Sequence, residues 1–570
     1  MSTNDSPAQA VNLASLLASV AAPQPDKDAV VCPAPRVGGQ AQWQRLTYGE
    51  LIARTEAYAA GFAALGVTAG MRTVLMVKPG LDFLPLTFAL FRIGAVPILI
   101  DPGMGRKNLL RCIQRTRPEA FVGIPLAHAA RVIFRKYFRD VRIHVTIGKR
   151  WFWGGPTLED LRADGQSAPL AATTANDLAA VIFTTGSTGP PKGVEYTHGM
   201  FAAQREMLGD LLQITSDDVD MPGFALFAMY TVMLGCTVVI PEMDPTRPAN
   251  VTPARIVEAA TDGCGSATLS FGSPALWRRV GTELAEQGKT LPDLKRVVMA
   301  GAPIPPDLHD LMLNKVLGPE ANIYTPYGAT ECLPVTCFTG REVLAETDPL
   351  TRQGRGYCVG KPLPRMDVRI IRYNDAVISK WTDVEPLADG EIGEVVVRGP
   401  NVSRRYFELP EQTALHKIYE TEDTHRGPFW HRIGDLGYFD ESGRLWFCGR
   451  KAHRVETGEN TLYTVCCEAI FNEHPRVARS ALVGIGDNRQ RQTPVLIAEP
   501  IPGEFPGTPT KFSIFSHELR ELAEGNPLTR DINIFLFNHA FPVDIRHNAK
   551  IFREKLARWV PAQPEYKAAL

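Results

Sequence analysis

Net charge is almost absent from this chain. Its 61 basic side chains are balanced by 62 acidic ones, for a formal charge of −1. A broad nucleic-acid footprint needs a basic surplus, so only a local basic patch stays open. Paired cysteines are missing too. Ten cysteines run from Cys32 to Cys467, and no two form a Cys-x-x-Cys pair, which leaves no zinc or redox motif. Neighbours such as Cys466 and Cys467 read as reduced, buried, small hydrophobes, and the expected compartment is a reducing one, the cytoplasm. The first residues, "MSTNDSPAQAVNLASLLASVAAP", have an apolar middle with no lysine or arginine before it. A secretory signal carries a positive leading region, so an amphipathic helix or a frayed tail is expected instead. Internal repeats and low-complexity tracts are not evident. One long uncharged run exists, Met221 to Pro241, long enough to span a bilayer. Pro222, Gly223 and Gly235 divide it, and β-branched residues gather after Gly235. A buried helix followed by a buried strand, "CTVVI", is therefore expected, and no transmembrane segment.

What is present is a globular composition, with 45% hydrophobic and 22% charged residues. A chain of 570 residues exceeds one ordinary core and implies two or more domains. The first third alternates helical and strand patterns. Thr47 and Glu50 have capping-box spacing. Leu51, Tyr58, Phe62 and Leu65 share one helical face, and Gly66 stands where that helix should end. "TVLMV" and "VPILI" read as buried strands. The alternation returns at "AAVIF", "CTVVI", "ATLSF", "RVVMA" and "NIYTP", so an α/β fold with a largely parallel sheet is expected. Ligand loops in such sheets lie beyond the carboxyl ends of the strands. "TTGSTGPPKG" follows "AAVIF", "GAPIPP" follows "RVVMA", and "YGATE" follows "NIYTP"; all three are expected on one edge of one sheet. From Val359 to Phe447 short alternating strands suggest a small antiparallel unit. After Gly449 a smaller α/β segment begins, dividing the chain into residues 1–449 and 450–570.

"TTGSTGPPKG", Thr184 to Gly193, packs four hydroxyls, three glycines and one lysine into ten residues. Glycines let backbone N–H groups approach a ligand, and hydroxyls and an ammonium add donors and charge. That combination suits phosphate oxygens. It is not a Walker loop, because Lys192 stands between Pro191 and Gly193. A flexible solvated turn is the other reading; two adjacent prolines and a preceding buried strand fit it less well.

Five motifs occur in order: "TTGSTGPPKG", "YTPYGATE", "IGDLGYFDESG", "GR" at Gly449–Arg450, and "HNAKIFR". This series resembles the adenylate-forming superfamily of acyl-CoA synthetases, peptide-synthetase adenylation domains and luciferases, from Leu46 to Arg553. The resemblance implies ATP and Mg²⁺ as cofactors. It makes Thr184, Thr185, Gly186, Ser187, Thr188, Gly189 and Lys192 a triphosphate loop. Gly301, Ala302 and Pro303 would border the nucleotide, and Tyr327, beside Gly328, would stack on adenine. Thr330 would touch the α-phosphate and Glu331 would hold the metal. Asp435 would take the ribose hydroxyls, with Arg450 nearby. Lys550, on a mobile C-terminal domain, would stabilise charge as a carboxylate attacks phosphorus. Thr184, Lys192, Glu331 and Lys550 are the catalytic candidates.

Three departures bear on the acceptor. Where many CoA ligases carry a "Leu-Pro-x-x-His" stretch, Phe224, Ala225 and Leu226 stand without histidine. The hinge falls on Ala452 or His453, and Ala549 precedes Lys550 where glycine is usual. "GRKAHRVETGENTLYTVCCEAIF" and "FPVDIRHNAKIFREKLARWV" look like the bacterial olefin-biosynthesis branch, the β-lactone synthetases of long-chain 2-alkyl-3-hydroxyalkanoic acids. A lipid acid is the implied substrate, and assembly with other lipid enzymes would follow. A long-chain acyl-CoA synthetase and a non-catalytic nucleotide-binding protein are the alternatives. The run Phe224–Leu234 is either plain core or the wall of an acyl channel.

Overall fold

The computed structural model describes residues 10–162, 168–184, 191–543 and 551–569. The capping box exists: the Thr47 hydroxyl and Glu50 close the start of the helix Tyr48–Ala64 on each other's backbone N–H groups. That helix buries Leu51, Tyr58 and Phe62, and Gly66 follows with φ +89°. The N-terminal apolar stretch forms the helix Leu13–Ala21, capped by Asn12.

Two sheets, not one, carry the α/β alternation. The first is six-stranded, ordered Ile143–Thr146, Ala120–Gly123, Arg72–Met76, Val96–Ile100, Leu178–Thr184, Lys192–Thr197. All neighbours are parallel except the last pair, which is antiparallel. The second is fourteen-stranded among the described residues. Its parallel part runs from Asp28–Val37 through Thr237–Val239, Val219–Asp220, Leu269–Gly272 and Arg296–Met299 to Asn322–Tyr327. The expectation that three ligand loops share one sheet edge is thereby corrected. Thr184 ends a strand of the first sheet, whereas Gly301 and Tyr327 follow or end strands of the second. The antiparallel unit is present, but it continues the second sheet through Thr336–Thr339 and Tyr357–Pro362 to Leu445–Arg450, Phe429–Phe439, Gly393–Arg398 and Asp367–Ile371.

One apolar core is shared by both sheets. It joins Ala180, Ile182 and Val194 of the first to Val30, Val238, Leu269 and Val298 of the second. The uncharged run supplies part of it: Phe227 to Met233 is buried, most of it in this core, as the short helix Ala228–Val232 before the strand Thr237–Val239. This is the core reading of that run; Phe224, Ala225 and Leu226 are half-buried. Among the described residues no helix is long and apolar enough to cross a membrane. All ten cysteines are free.

Beyond Arg450 the chain builds a three-stranded sheet of Val477–Ile485, Thr493–Pro500 and Ile534–Phe537. The helix Pro509–Glu524 packs Phe515, Leu519 and Ala523 against it.

Candidate active site

Asp435 and Arg450 are register partners on adjacent antiparallel strands, Phe429–Phe439 and Leu445–Arg450. Arg450 Nη1 stands 2.8 Å from Asp435 Oδ1. The Tyr327 hydroxyl donates to Asp435 Oδ2 at 2.7 Å. Tyr327 ends the strand Asn322–Tyr327, so this bond ties the last parallel strand to the antiparallel part. Gly434 precedes Asp435 with φ +80°, a backbone that suits glycine and few other residues. Burial lifts the Tyr327 hydroxyl well above its usual range, and the Asp435 charge adds to this, so Tyr327 remains a neutral donor. Asp435 in turn raises Arg450. The carboxylate is nearly buried at 6% exposure, while the arginine keeps 33%.

A second group forms around Lys192, at the start of the strand Lys192–Thr197. Its Nζ lies 3.0 Å from His416 Nε2 and 5.0 Å from the centre of the Tyr406 ring. His416 Nδ1 is 3.1 Å from the Arg432 carbonyl oxygen. A carbonyl only accepts, so Nδ1 carries the proton and Nε2 accepts from the ammonium. Burial, with help from Lys192, pushes His416 down to about 3. Lys192 is lowered by burial, opposed by Glu331 and assisted by Arg450. The Tyr406 hydroxyl donates to Glu331 Oε1 at 2.5 Å, which fixes that carboxylate's orientation. The Thr330 carbonyl accepts from Tyr196.

The short segment 403–407 stitches these pieces together. The Ser403 N–H donates to the Glu331 carbonyl, and the Phe407 N–H donates to that of Gly193. The Ser403 hydroxyl donates to the Glu195 carbonyl at 2.9 Å, and Tyr406 bridges Val194. Lys417 donates to the Ser403 carbonyl and lies 2.9 Å from His431 Nδ1. Lys417 and His431 are cross-strand partners.

The structure thus brings Lys192, Glu331 and Thr330 into one neighbourhood and Tyr327, Asp435 and Arg450 into another. The two are linked electrostatically, since Lys192 feels Arg450 and Arg450 feels Glu331. Gly301, Ala302 and Pro303 follow the strand Arg296–Met299, whose parallel neighbour ends at Tyr327. Gly301 takes φ +95°. Gly328 follows Tyr327 directly, and Thr184 closes its strand opposite Lys192. Thr185, Gly186, Ser187, Thr188, Gly189 and Lys550 lie outside the described residues. After Lys550, Arg553 pairs with Glu468 at 2.5 Å and Glu554 with His453 at 3.0 Å. Sequence reasoning missed Tyr406, His416, Lys417 and His431, because none stands within a recognisable motif.

For magnesium the site offers one carboxylate, Glu331, and among the described residues no group of three potential ligands stands together. That donor set suits a cation that arrives with phosphate oxygens and keeps its own waters.

Cations and carboxylates from two sheets meet in this region, an arrangement that fits an adenylate-forming enzyme. Over residues 17–407 the chain matches the AMP-binding enzyme family; it belongs to that family and is an AMP-forming ligase. Two relatives cover almost all of it. A protein of Stenotrophomonas maltophilia (strain K279a) named olefin beta-lactone synthetase is 46% identical over 562 residues, 98% of this chain and 99% of that one. A protein of the same name from Xanthomonas campestris pv. campestris is 46% identical over 556 residues, 97% and 98% of the two chains. Among solved structures, the amide bond synthetase McbA of Marinactinospora thermotolerans superposes with a TM-score of 0.76 at 22% identity, covering 96% of this chain and 99% of that one. The last likeness concerns the fold alone.

Proposed function

We propose that this ligase converts a long-chain 2-alkyl-3-hydroxyalkanoic acid and ATP into a β-lactone, AMP and pyrophosphate. The near end-to-end match to two proteins named olefin beta-lactone synthetase carries this reading. A carboxylate oxygen of the substrate attacks the α-phosphorus and pyrophosphate leaves. The 3-hydroxyl oxygen of the same molecule then attacks the activated carbonyl carbon. AMP departs with the bonding pair, and the hydroxyl proton passes to solvent. Holding the hydroxyl near the carbonyl makes ring closure unimolecular, an entropic advantage that offsets part of the strain of a four-membered ring.

In this reading Thr184, Thr185, Gly186, Ser187, Thr188, Gly189 and Lys192 hold the departing phosphates. The His416 bond and the Tyr406 ring limit where the Lys192 ammonium sits. Gly301, Ala302 and Pro303 border the nucleotide, Tyr327 and Gly328 face adenine, and Thr330 meets the α-phosphate. Asp435, oriented by Tyr327 and Arg450, accepts from the ribose hydroxyls. Glu331 would hold Mg²⁺, whose part is to neutralise phosphate charge. Lys550, delivered by residues 450–570, stabilises the transition state of adenylation.

The test is mass analysis of products from a synthetic 2-alkyl-3-hydroxy acid and ATP, with and without coenzyme A. A lactone and AMP formed without coenzyme A are expected. Strict dependence on coenzyme A, with a thioester product, would replace this reading by an acyl-CoA synthetase.

A further inference from the structure

The chain is neutral as a whole, yet one face is strongly basic and apolar at once. Between Arg106 and Trp153 only Glu119 and Asp140 are acidic, and every other charged residue is lysine or arginine. Glu119 is paired with Arg72 at 3.1 Å. Arg135, Lys136 and Arg139 are exposed, and no ion pair engages them among the described residues. The same stretch holds Leu126 at 72% exposure, Ile133 at 71%, Trp151 at 52% and Phe152 at 76%. Exposed large apolar side chains elsewhere are scattered, but here they cluster, and clustered exposure marks an interaction surface.

These residues share one surface. The helix Pro125–Ile133 runs into the turn Arg135–Tyr137. Beneath them Ala127 and Phe138 are buried in one cluster with Leu110 and Ile113 of the helix Arg106–Thr116. The loop after the edge strand Ile143–Thr146 folds back on that helix: the Trp153 ring stacks on His128 at 5.2 Å. Its indole N–H donates to the Thr146 hydroxyl at 2.9 Å. Trp151 and Phe152 each lie 5.3 Å from Trp153. The half-buried Trp153 thus anchors a loop that presents two aromatic rings to solvent beside a row of cations.

We propose that this face docks on an anionic lipid bilayer. Trp151 and Phe152 would enter the interfacial layer, and Arg135, Lys136 and Arg139 would lie over the head groups. Aromatic rings favour that layer, and cations beside them are attracted to acidic lipids. Leu126 and Ile133 fit acyl chains and have no counterpart in a nucleic-acid contact. The inference rests on the charge and exposure of this face and is independent of the lactone reading, since its test needs no substrate.

The full chain is sedimented with vesicles of phosphatidylcholine containing roughly one-third phosphatidylglycerol, and with pure phosphatidylcholine vesicles. Binding is expected to the acidic vesicles only and should weaken at about 0.5 M salt. Each basic residue at such a surface is worth roughly fivefold in affinity, so Arg135→Glu with Lys136→Glu should weaken binding roughly thirtyfold or more. Trp151→Ser with Phe152→Ser should also lower it, with an unchanged melting temperature because both rings are exposed. A wild type that ignores acidic vesicles overturns the proposal. So does equal binding by both variants. A wild-type oligomer that the aromatic variant converts to monomer, without vesicle binding, would instead assign the face to a second copy and overturn it as well.

Discussion

Lys417 is a lysine that no carboxylate pairs among the described residues. It is 1% exposed, its Nζ reaches His431 Nδ1 and the Ser403 carbonyl, and the rings of Tyr406 and Phe429 close around it at 5.8 and 5.5 Å. Burial drives its ammonium from the ordinary 10.5 down to about 7, against the distant pull of Glu331. His431 is held neutral by burial and by Lys417 itself. Between pH 7 and 10.5 the unfolded chain therefore binds more protons at this position than the folded one. The wild type must gain stability as pH rises through that window, and below about 7 the full penalty applies. A displacement from 10.5 to about 7 sets a ceiling of about 5 kcal/mol, of which about 2 kcal/mol is relieved between pH 7 and 9.

Lys417→Met removes the titrating group and keeps most of its volume. It also leaves the Ser403 carbonyl without this donor, so the absolute offset between the proteins mixes two effects of opposite sign. The slope does not. Urea unfolding of both proteins at pH 7 and pH 9 should show the wild type gaining about 2 kcal/mol on the variant. Near-ultraviolet circular dichroism reports on this unit, because Trp430 stacks on Trp381 at 4.4 Å next to His431. Other titrating groups are common to both chains and cancel in the difference. Curves that stay parallel from pH 7 to 9 would refute the argument that a desolvated ammonium sits there.

Asp220 should behave with the opposite sign. Burial pushes its carboxyl from 3.8 up to about 7, with Thr231 donating to it at 2.7 Å, so the folded state holds the extra proton. The wild type should lose roughly 4 kcal/mol relative to Asp220→Asn as pH rises from 4 to 8, read by the same unfolding measurement. If Asp435 accepts from the ribose hydroxyls as proposed, Asp435→Asn should weaken AMP binding roughly tenfold or more by calorimetry, since a charged acceptor is replaced by a neutral amide with one acceptor oxygen. An unchanged affinity would remove Asp435 from the nucleotide site. Lys550→Ala should abolish pyrophosphate exchange while ATP binding persists, because the role proposed for it is in the transition state; a collapse of ATP affinity would contradict that.

The local elements were legible where one short-range signal decides. "VPILI" forms the strand Val96–Ile100 because a continuous apolar run between turn residues has no competing period. Thr47 and Glu50 close a capping box whose two bonds span only three residues. Sheet membership was not legible. "AAVIF" and "RVVMA" look alike and each is followed by a ligand-type loop, yet they belong to different sheets. A strand's own residues record that it is buried, and which strand it lies beside is chosen by tertiary packing outside the segment. The Met221–Pro241 run shows the same limit: its division into helix and strand was readable, and its place in the core shared by both sheets was not.

The site divides along the same line, and the division explains its construction. Motif residues such as Lys192 and Glu331 stand at a strand start or in a turn, where residue type alone suggests chemistry. Tyr327 and Arg450, which hold Asp435, are motif residues, but those that orient Lys192 and Glu331 carry no motif, because their roles arise from pairing across strands. His416 becomes an acceptor only because the Arg432 carbonyl holds its other nitrogen. Tyr406 reaches Glu331 only because segment 403–407 lies against the strand that begins at Lys192. The same segment bonds the Glu331 backbone through Ser403 and the Gly193 backbone through Phe407. A shift of either the strand that begins at Lys192 or the Glu331 turn must therefore move both, which couples the cation from the first sheet to the carboxylate from the second. That coupling keeps opposite charges from two separate sheets in register.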